Sequence, residues 1–225
     1  DGVDMTSDTV DITVTDAGFL IGHWAMDDNA STTTVVDSSA YGNHGTARQN
    51  TSVLHTTGII DGALTFNGST DYVDLSGLGS TLEVENISVS VWAKPDSVTG
   101  PINWILGNGA QFRLGFGDDT VRFWIREQGR GSSNLVSGGS VSAGKWYHIV
   151  GTYDGTYQKL YVNGSLVASE QPGLDVLDNG SDNFAIGKAY KTSKEYFDGN
   201  VDDVRIFSRA LSEEAINVLY NEQWP

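Results

Sequence analysis

Apolar residues recur at every second position through most of the chain, in short runs separated by Gly, Asn, Asp and Ser. That period sends alternate side chains to opposite faces of an extended strand. Val10, Ile12 and Val14 alternate with Asp11, Thr13 and Thr15. In residues 18–27, Leu20, Gly22 and Trp24 fall on one face and Ile21, His23 and Ala25 on the other. Leu64 and Phe66, then Val73 and Leu75, predict a pair of strands around a turn at 67–71. Residues 87–95 predict a central strand, with Ile87, Val89, Val91 and Ala93 opposed to Ser88, Ser90, Trp92 and Lys94. Residues 111–116 and 121–127 predict a hairpin through 117–120, residues 145–154 a further strand, and residues 184–187 another. Asn163-Gly164, between two alternating runs, is the strongest hairpin signal, because both residues accept positive φ. Residues 201–207 predict the closing strand, on which period two sets Asp202 on the side of Val204 and Ile206. A short helix follows: Ser212 caps it, Glu213 and Glu214 occupy its positive end, and Ile216, Leu219 and Tyr220 form its apolar stripe. About a dozen short strands and one C-terminal helix predict an all-β, antiparallel two-sheet β-sandwich of the jelly-roll kind.

Size and composition narrow the classes. A chain of 225 residues, 39% hydrophobic, suits one sizeable sandwich, and 27 Gly suit many tight turns. The formal net charge of -16, from 29 acidic and 13 basic residues, argues against nucleic acid and anionic membranes as partners. With no Cys, disulfides, thiolate chemistry and Cys-rich zinc sites are excluded. No apolar run approaches the ~20 residues of a membrane span. Sequons such as Asn67-Gly68-Ser69 matter only in a glycosylating eukaryote. No internal repeat is present. Residues 1–16 read as the tail or linker of an upstream module and residues 17–225 as the domain; the alternative makes 1–16 the domain's first strand. The start at Asp1 reads as a piece cut from a longer protein.

Candidate chemistry begins with Asp202, a carboxylate on an apolar strand, which needs a partner. Hard oxygen donors in turns point to Ca²⁺, with Asp27, Asn43 and Asp202 as ligands and Asp37 as a lesser ligand or Asx-turn former. The alternative is that Asp27 and Asn43 cap turns by bonding their own backbone. A ligand surface is the second candidate. If Phe112, Leu114, Phe116, Val121, Phe123 and Ile125 form core, the opposite face carries Gln111, Arg113, Arg122, Trp124 and Arg126. An indole offers a plate for sugar C–H groups, and guanidinium forks bind carboxylate or sulfate. Trp104, Lys188, Tyr190, Lys191 and Tyr196 are nearby loop candidates. The competing reading is a stable outward Arg–Trp stack with local acids. For catalysis, Glu83 and Glu85 read as solvated charges and His148 as a packed structural histidine; Gln111, Arg113, Tyr147 and His148 lack the strings of a lyase. There is no G-x-S-x-G and no H-E-x-x-H.

Residues 197–220, FDGNVDDVRIFSRALSEEAINVLY, resemble the closing segment of bacterial laminin-G-like, concanavalin A-like jelly-roll domains. The strings DSSAYGNHGT, DGALTFNGSTDYV and KWYHIVGTYDG resemble earlier motifs of that group, so the likeness runs over residues 18–220. The resemblance implies a structural Ca²⁺ fastening the opening loop to the closing strand, and an extracellular bacterial setting. The E-x-D-x-x-E string of the glucanase relatives is missing. The expected function is a non-catalytic carbohydrate-binding module of a secreted multidomain polysaccharide-degrading protein, such as a lyase or glycoside hydrolase. It would hold an acidic polysaccharide on its concave sheet. A protein-interaction or adhesion module, a polysaccharide lyase or hydrolase with an unrecognised site, and a structural spacer are the alternatives.

Overall fold

The computed structural model describes residues 17–82, 85–99, 102–108, 111–127, 132–174, 177, 184–189 and 195–221. The reading of residues 1–16, and the candidates Glu83, Tyr190 and Lys191, lie outside the described residues. Among the described residues, sixteen strands form two antiparallel sheets of eight strands each.

In the first sheet the order is β14 (Ser165–Glu170), β13 (Gln158–Val162), β12 (Tyr147–Tyr153), β7 (Ile87–Pro95), β16 (Asp198–Phe207), β5 (Gly62–Asn67) and β4 (His55–Thr57). β1 (Leu20–Trp24) also pairs with β16, so the first described strand is joined to the last. In the second the order is β11 (Ser133–Ser140), β10 (Thr120–Arg126), β9 (Phe112–Gly117), β8 (Asn103–Gly107), β15 (Ala185–Ile186), β6 (Val73–Asp74), β3 (Gly45–Ala47) and β2 (Thr34–Val35). A one-turn helix α1 (Thr51–Leu54) precedes β4, and α2 (Glu213–Asn221) follows β16.

The inner faces meet in one apolar core. Ile87, Val89, Val91 and Ala93 of β7 face Phe112, Leu114, Phe116, Val121, Phe123 and Ile125 of β9 and β10 in it, as their alternation requires. The β13–β14 hairpin turns at Asn163 and Gly164 with φ of 50° and 75°, the two-residue geometry the dipeptide favours. The β9–β10 hairpin does the same with Asp118 and Asp119, φ 50° and 57°. Leu64 and Phe66 do not pair with Val73: β5 lies in the first sheet and β6 in the second, and the 67–71 turn carries the chain between them. Asn67 Oδ1 holds that corner, accepting the amides of Ser69, Thr70 and Asp71 at 3.0, 2.9 and 3.2 Å.

Two irregularities overturn the strict period. In β1 the register shifts between Leu20 and Gly22, so Ile21 and Trp24 both enter the core. The Trp24 indole lies over Gly22, where any Cβ would run into the ring. In β16 the pairing with β7 shifts between Asp202 and Arg205, and Asp203 takes φ 46°. This is a bulge, with one residue more on β16 than on β7. Val201 and Val204 then both face the core. Asp202 stands opposite Trp92 and shares that residue's outward face, not the side of Val204 and Ile206.

That outward face of the first sheet is covered by α2. Ser212 Oγ accepts the Ala215 amide at 3.2 Å, the expected cap. Ala215, Ile216 and Leu219 pack on Val150, Tyr161 and Phe207, and Tyr220 stacks on Trp92 and His148 with ring centroids at 5.8 and 5.9 Å. His148 is buried, 2.9 Å from Ser90 Oγ, and burial pushes its imidazole down to about 3. It is therefore neutral packing at pH 7, in line with its reading as a structural histidine. Asp202 has no exposed surface. Its Oδ2 accepts the amides of Ile59 and Ile60 at 2.7 and 3.0 Å, while Oδ1 is buried without a partner. Burial pushes this carboxyl up to about 7, against those two amides and with help from Asp203 and Asp27.

These two buried groups tilt stability in opposite directions. Asp202 holds its proton in the fold above its ordinary value of 3.8, so its contribution is complete below that pH and is lost as pH rises to about 7. His148 resists its proton below its ordinary 6.5, so its contribution is complete above that pH and is lost as pH falls toward about 3. Between about pH 4 and 6.5 each slope approaches ~1.4 kcal/mol per pH unit, and the two offset. Urea unfolding at intervals across that window tests the pair. Asp202→Asn should leave a fold that weakens on acidification, and His148→Gln one that weakens on alkalinisation. Identical profiles for both variants and the parent would refute the opposition.

Candidate functional site

On β10, Val121, Phe123 and Ile125 turn inward, so Arg122, Trp124 and Arg126 turn outward. Trp124 is directly opposite Arg113 on β9, and Arg122 is opposite Gly115. Arg113 is opposite Gly107, Gly107 opposite Ala185, Ala185 opposite Asp74, and Asp74 opposite Thr46. One cross-strand row, Thr46–Asp74–Ala185–Gly107–Arg113–Trp124, therefore crosses the outer face of the second sheet. Directly opposed residues share a face, so the row brings together residues far apart in sequence. Ala185 and Gly107 in its middle are buried and contribute almost no side chain.

Arg113 is the fixed point. Its Cζ lies 4.7 Å from the Trp124 ring centroid and 5.6 Å from that of Trp104. Nε donates to the Asn108 carbonyl at 3.2 Å, and Nη1 is 3.7 Å from Glu195 Oε2. Burial lowers the guanidinium pKa, Glu195 counters, and Arg126 lowers it further, which places Arg126 within electrostatic reach. The group stays charged at any ordinary pH. Trp104 is only 3% exposed, lying against Gly115 beneath this layer. It forms the floor of the site rather than an open plate, and its Nε1 has no hydrogen-bond partner. Trp124 is half-buried and remains the plate. Arg122 is ion-paired to Asp118 of the hairpin turn, which draws it toward that turn. Gln111 departs from expectation. It is fully buried, with Nε2 donating to the Leu82 carbonyl at 2.9 Å, because it precedes β9 and escapes that strand's alternation.

Lys188 and Tyr196 do belong to this face, held opposite each other by an isolated bridge. They meet two residues not anticipated from the sequence. Lys188 Nζ sits 3.7 Å from the Tyr72 ring centroid and 5.4 Å from that of Tyr196, and Arg48 Cζ lies 5.5 Å from Tyr72. The alternation that turns Val73 and Leu75 inward also turns Tyr72 and Asp74 outward, and this was the available signal. Glu195, paired with Arg113 and adjacent to Tyr196, links the two halves of the row.

The three expected metal ligands divide. Asp27 lies close enough to Asp202 to raise that carboxyl's pKa. Asp27 Oδ1 accepts the Gly62 amide at 2.7 Å, so both acids hold the 58–62 loop. Burial raises the Asp27 pKa, the Gly62 amide opposes this, and Asp61 and Asp203 add to the rise. Asn43 makes its contacts elsewhere: Nδ2 donates to the Ile21 carbonyl at 3.1 Å, and its carbonyl accepts Trp24 Nε1 at 3.0 Å. Asp37 acts as an Asx-turn former, accepting the amides of His23, Ser39 and Asn43 at 2.8, 2.8 and 2.7 Å. Burial raises its pKa, but those bonds outweigh it and the net shift is downward. Among the described residues, no three acidic or histidine side chains are grouped to hold an ion by themselves.

Domain 4 of AbnA, a GH43 extracellular arabinanase from Geobacillus stearothermophilus in complex with arabinotriose, matches this fold with TM-score 0.68 and 23% identity, over 90% of this chain and 98% of that one. The binding domain of botulinum neurotoxin serotype D matches with TM-score 0.69 and 20% identity, over 92% of this chain and 52% of the toxin domain. The binding domain of Paraclostridial Mosquitocidal Protein 1 gives TM-score 0.68 and 14% identity, again over 92% and 52%. The chain thus spans about half of each toxin domain but nearly all of the arabinanase domain. At these identities the likeness establishes a shared fold. No curated protein sequence matches the chain. The laminin G-like model that describes the concanavalin A-like lectin/glucanases superfamily matches residues 67–217, most of the two-sheet sandwich, and the chain belongs to that superfamily.

Proposed function

We propose that the chain is a non-catalytic carbohydrate-binding module of a secreted, multidomain, polysaccharide-degrading bacterial protein. The outer face of the second sheet holds an anionic glycan, with carboxylate or sulfate groups. The observation that carries this reading is Arg113, fixed against the rings of Trp104 and Trp124 and still partly open to solvent, with side-chain exposure of 21%. Trp124 supplies the apolar plate for a sugar ring, and Arg113 and Arg126 supply the charge for its acidic substituent. Glu195 and Asp118 are engaged by Arg113 and Arg122. That favours binding over hydrolysis, which needs two carboxyl groups free to work across one glycosidic bond. The arabinanase domain, matched over nearly its full length and solved with a sugar, supports a module beside a polysaccharide-degrading catalytic domain.

A structural Ca²⁺ forms part of the proposal, held by Asp27 and Asp202. Their donor set suits a hard cation. The buried, unpartnered Oδ1 of Asp202 is what such an ion would satisfy, and a proton is the alternative. Asn43 is left out of this set because its contacts lie with Ile21 and Trp24.

Affinity electrophoresis through pectate, alginate and carrageenan gels tests the surface. Trp124→Ala should weaken retention at least about tenfold, or ~1.4 kcal/mol, with little change in Tm. Added salt should weaken the parent's retention, since exposed charge pairs are screened. Undiminished retention of Trp124→Ala and Arg126→Ala on every gel that slows the parent would remove the site from this face. Thermal unfolding near pH 7.5 tests the ion separately. Millimolar Ca²⁺ should raise the Tm of the parent and leave that of Asp202→Asn unmoved, whereas no Ca²⁺ effect on the parent would rule the ion out.

A further inference from the structure

The far end of the cross-strand row opens into a cavity of about 410 Å³, within the ~300–1,000 Å³ of ligand pockets. His44, Thr46, Arg48, Tyr72, Asp74 and Ser76 are among the residues lining it. Register builds it: Thr46 opposes Asp74, and one step on, the Arg48 amide donates to the Tyr72 carbonyl at 3.0 Å. Its donors and acceptors are set in advance. His44 Nδ1 accepts the Asp37 amide at 3.0 Å, which leaves the ring proton on Nε2 as a donor. Asp74 Oδ1 accepts the Ser76 amide at 2.8 Å, which fixes the carboxylate as an acceptor in the wall.

Two cations converge on one ring here. Arg48 and Lys188 both lie over Tyr72, and Asp74 is a carboxylate within electrostatic reach of Lys188. Burial lowers the Lys188 pKa, Asp74 raises it, and Arg48 lowers it again. Two cationic side chains thus meet on one ring beside the cavity, in a chain whose formal net charge is -16. An anionic substituent is the ligand chemistry that a pair of cationic side chains recognises, while the carboxylate and hydroxyl groups of the wall match sugar hydroxyls.

We infer that this cavity is a second subsite that takes one anionic sugar residue. Arg48 and Lys188 bind its carboxylate or sulfate, and Asp74, Ser76 and His44 bind its hydroxyl groups. The inference rests on the reading of the outer face as a glycan surface, and it extends that surface. Arg113 and Asp74 are three inter-strand steps apart in the row, roughly 14 Å at about 4.8 Å per step. A glycan laid across the strands meets Trp124 and Arg113 at one end and the cavity at the other. Linking two weak sites on one chain raises its overall affinity without new contacts.

The test compares the parent with Arg48→Gln, Lys188→Gln and Trp124→Ala on pectate, carrageenan and carboxyl-reduced pectate gels. Tm and circular dichroism confirm that each variant folds. Arg48 is exposed, so its replacement leaves the core intact. The expected result is about tenfold weaker retention of Arg48→Gln and Lys188→Gln on the charged gel that holds the parent, with no change on the carboxyl-reduced gel. Loss on pectate alone identifies a carboxylate, and loss on carrageenan alone a sulfate ester. If Trp124→Ala is lost while Arg48→Gln and Lys188→Gln are retained like the parent, the cavity inference is overturned and the outer-face reading stands. If the Arg48 and Lys188 variants are lost while Trp124→Ala is retained, the cavity stands and the Trp124 surface is overturned. A parent that no charged gel retards overturns both.

Discussion

β16 is hydrogen-bonded to β7 and β5, with β1 pairing along its later residues, and it is buried over nearly its whole length. A strand in that position cannot strand a polar group without a cost of some kcal/mol, yet it carries Asp202 and Asp203 side by side. The bulge at Asp203 makes this tolerable. It keeps Val201, Val204 and Ile206 in the core and turns both carboxylates outward, to separate sets of partners. Asp203 lies 2.7 Å from His23 Nε2 of β1 and accepts Arg205 Nε at 3.2 Å. Asp202 reaches the 58–62 loop ahead of β5, where Asp27 also reaches. One irregular strand thus fastens the opening strand, the loop before β5 and the centre of the first sheet. The fastening is ionisable, so protons act on the fold as a whole.

Much of the architecture was legible because it is local. The alternation of 87–95, the Asn163-Gly164 turn and the Ser212 cap each depend on a few neighbouring residues, and each is realised as read. What failed depends on pairing across the chain. No local pattern announces that β1 and β16 each carry an irregular residue, so Ile21 unexpectedly joins Trp24 in the core and Asp202 leaves the side of Val204 and Ile206. The corner at 67–71 has the composition of a hairpin turn but changes sheets, because the core needs Leu64 and Phe66 from one side and Val73 from the other. The outward face of β10 was legible strand by strand. The row joining Trp124 and Arg113 to Asp74 and Thr46 was not, since it exists only through the order β10-β9-β8-β15-β6-β3.

The two sheets differ in what lies outside them. α2 seals the first, with Tyr220, Trp92 and His148 stacked beneath it, and this layer excludes water well enough to keep an imidazole neutral. The second sheet has no such helix among the described elements, and its outer face carries indoles, guanidinium groups and tyrosines instead. Those groups are held by one another. Arg113 is fixed by a carbonyl, a carboxylate and two rings, and Lys188 by two tyrosines and Asp74. A long cationic side chain loses about 2 kcal/mol of rotamer freedom when it is immobilised. Here much of that ordering is complete before any partner arrives, which is what preorganisation means for a binding face.

The chain has a formal net charge of -16 while this face gathers guanidinium and ammonium groups, and distance decides which of them a partner feels. At physiological ionic strength the field of exposed charges decays over about 8 Å. A polyanion farther away than that senses little of the formal -16, and one in contact senses the nearest groups: Arg113, Arg126, Lys188 and Arg48. The excess acid is then compatible with an anionic partner so long as the basic groups stay concentrated on a single face. Sheet register is what concentrates them, because it draws Arg48, Arg113, Arg126 and Lys188 from four separate segments of sequence onto one face. Scattered over the surface, 13 basic residues among 29 acidic ones would leave no patch positive enough to hold an acidic sugar.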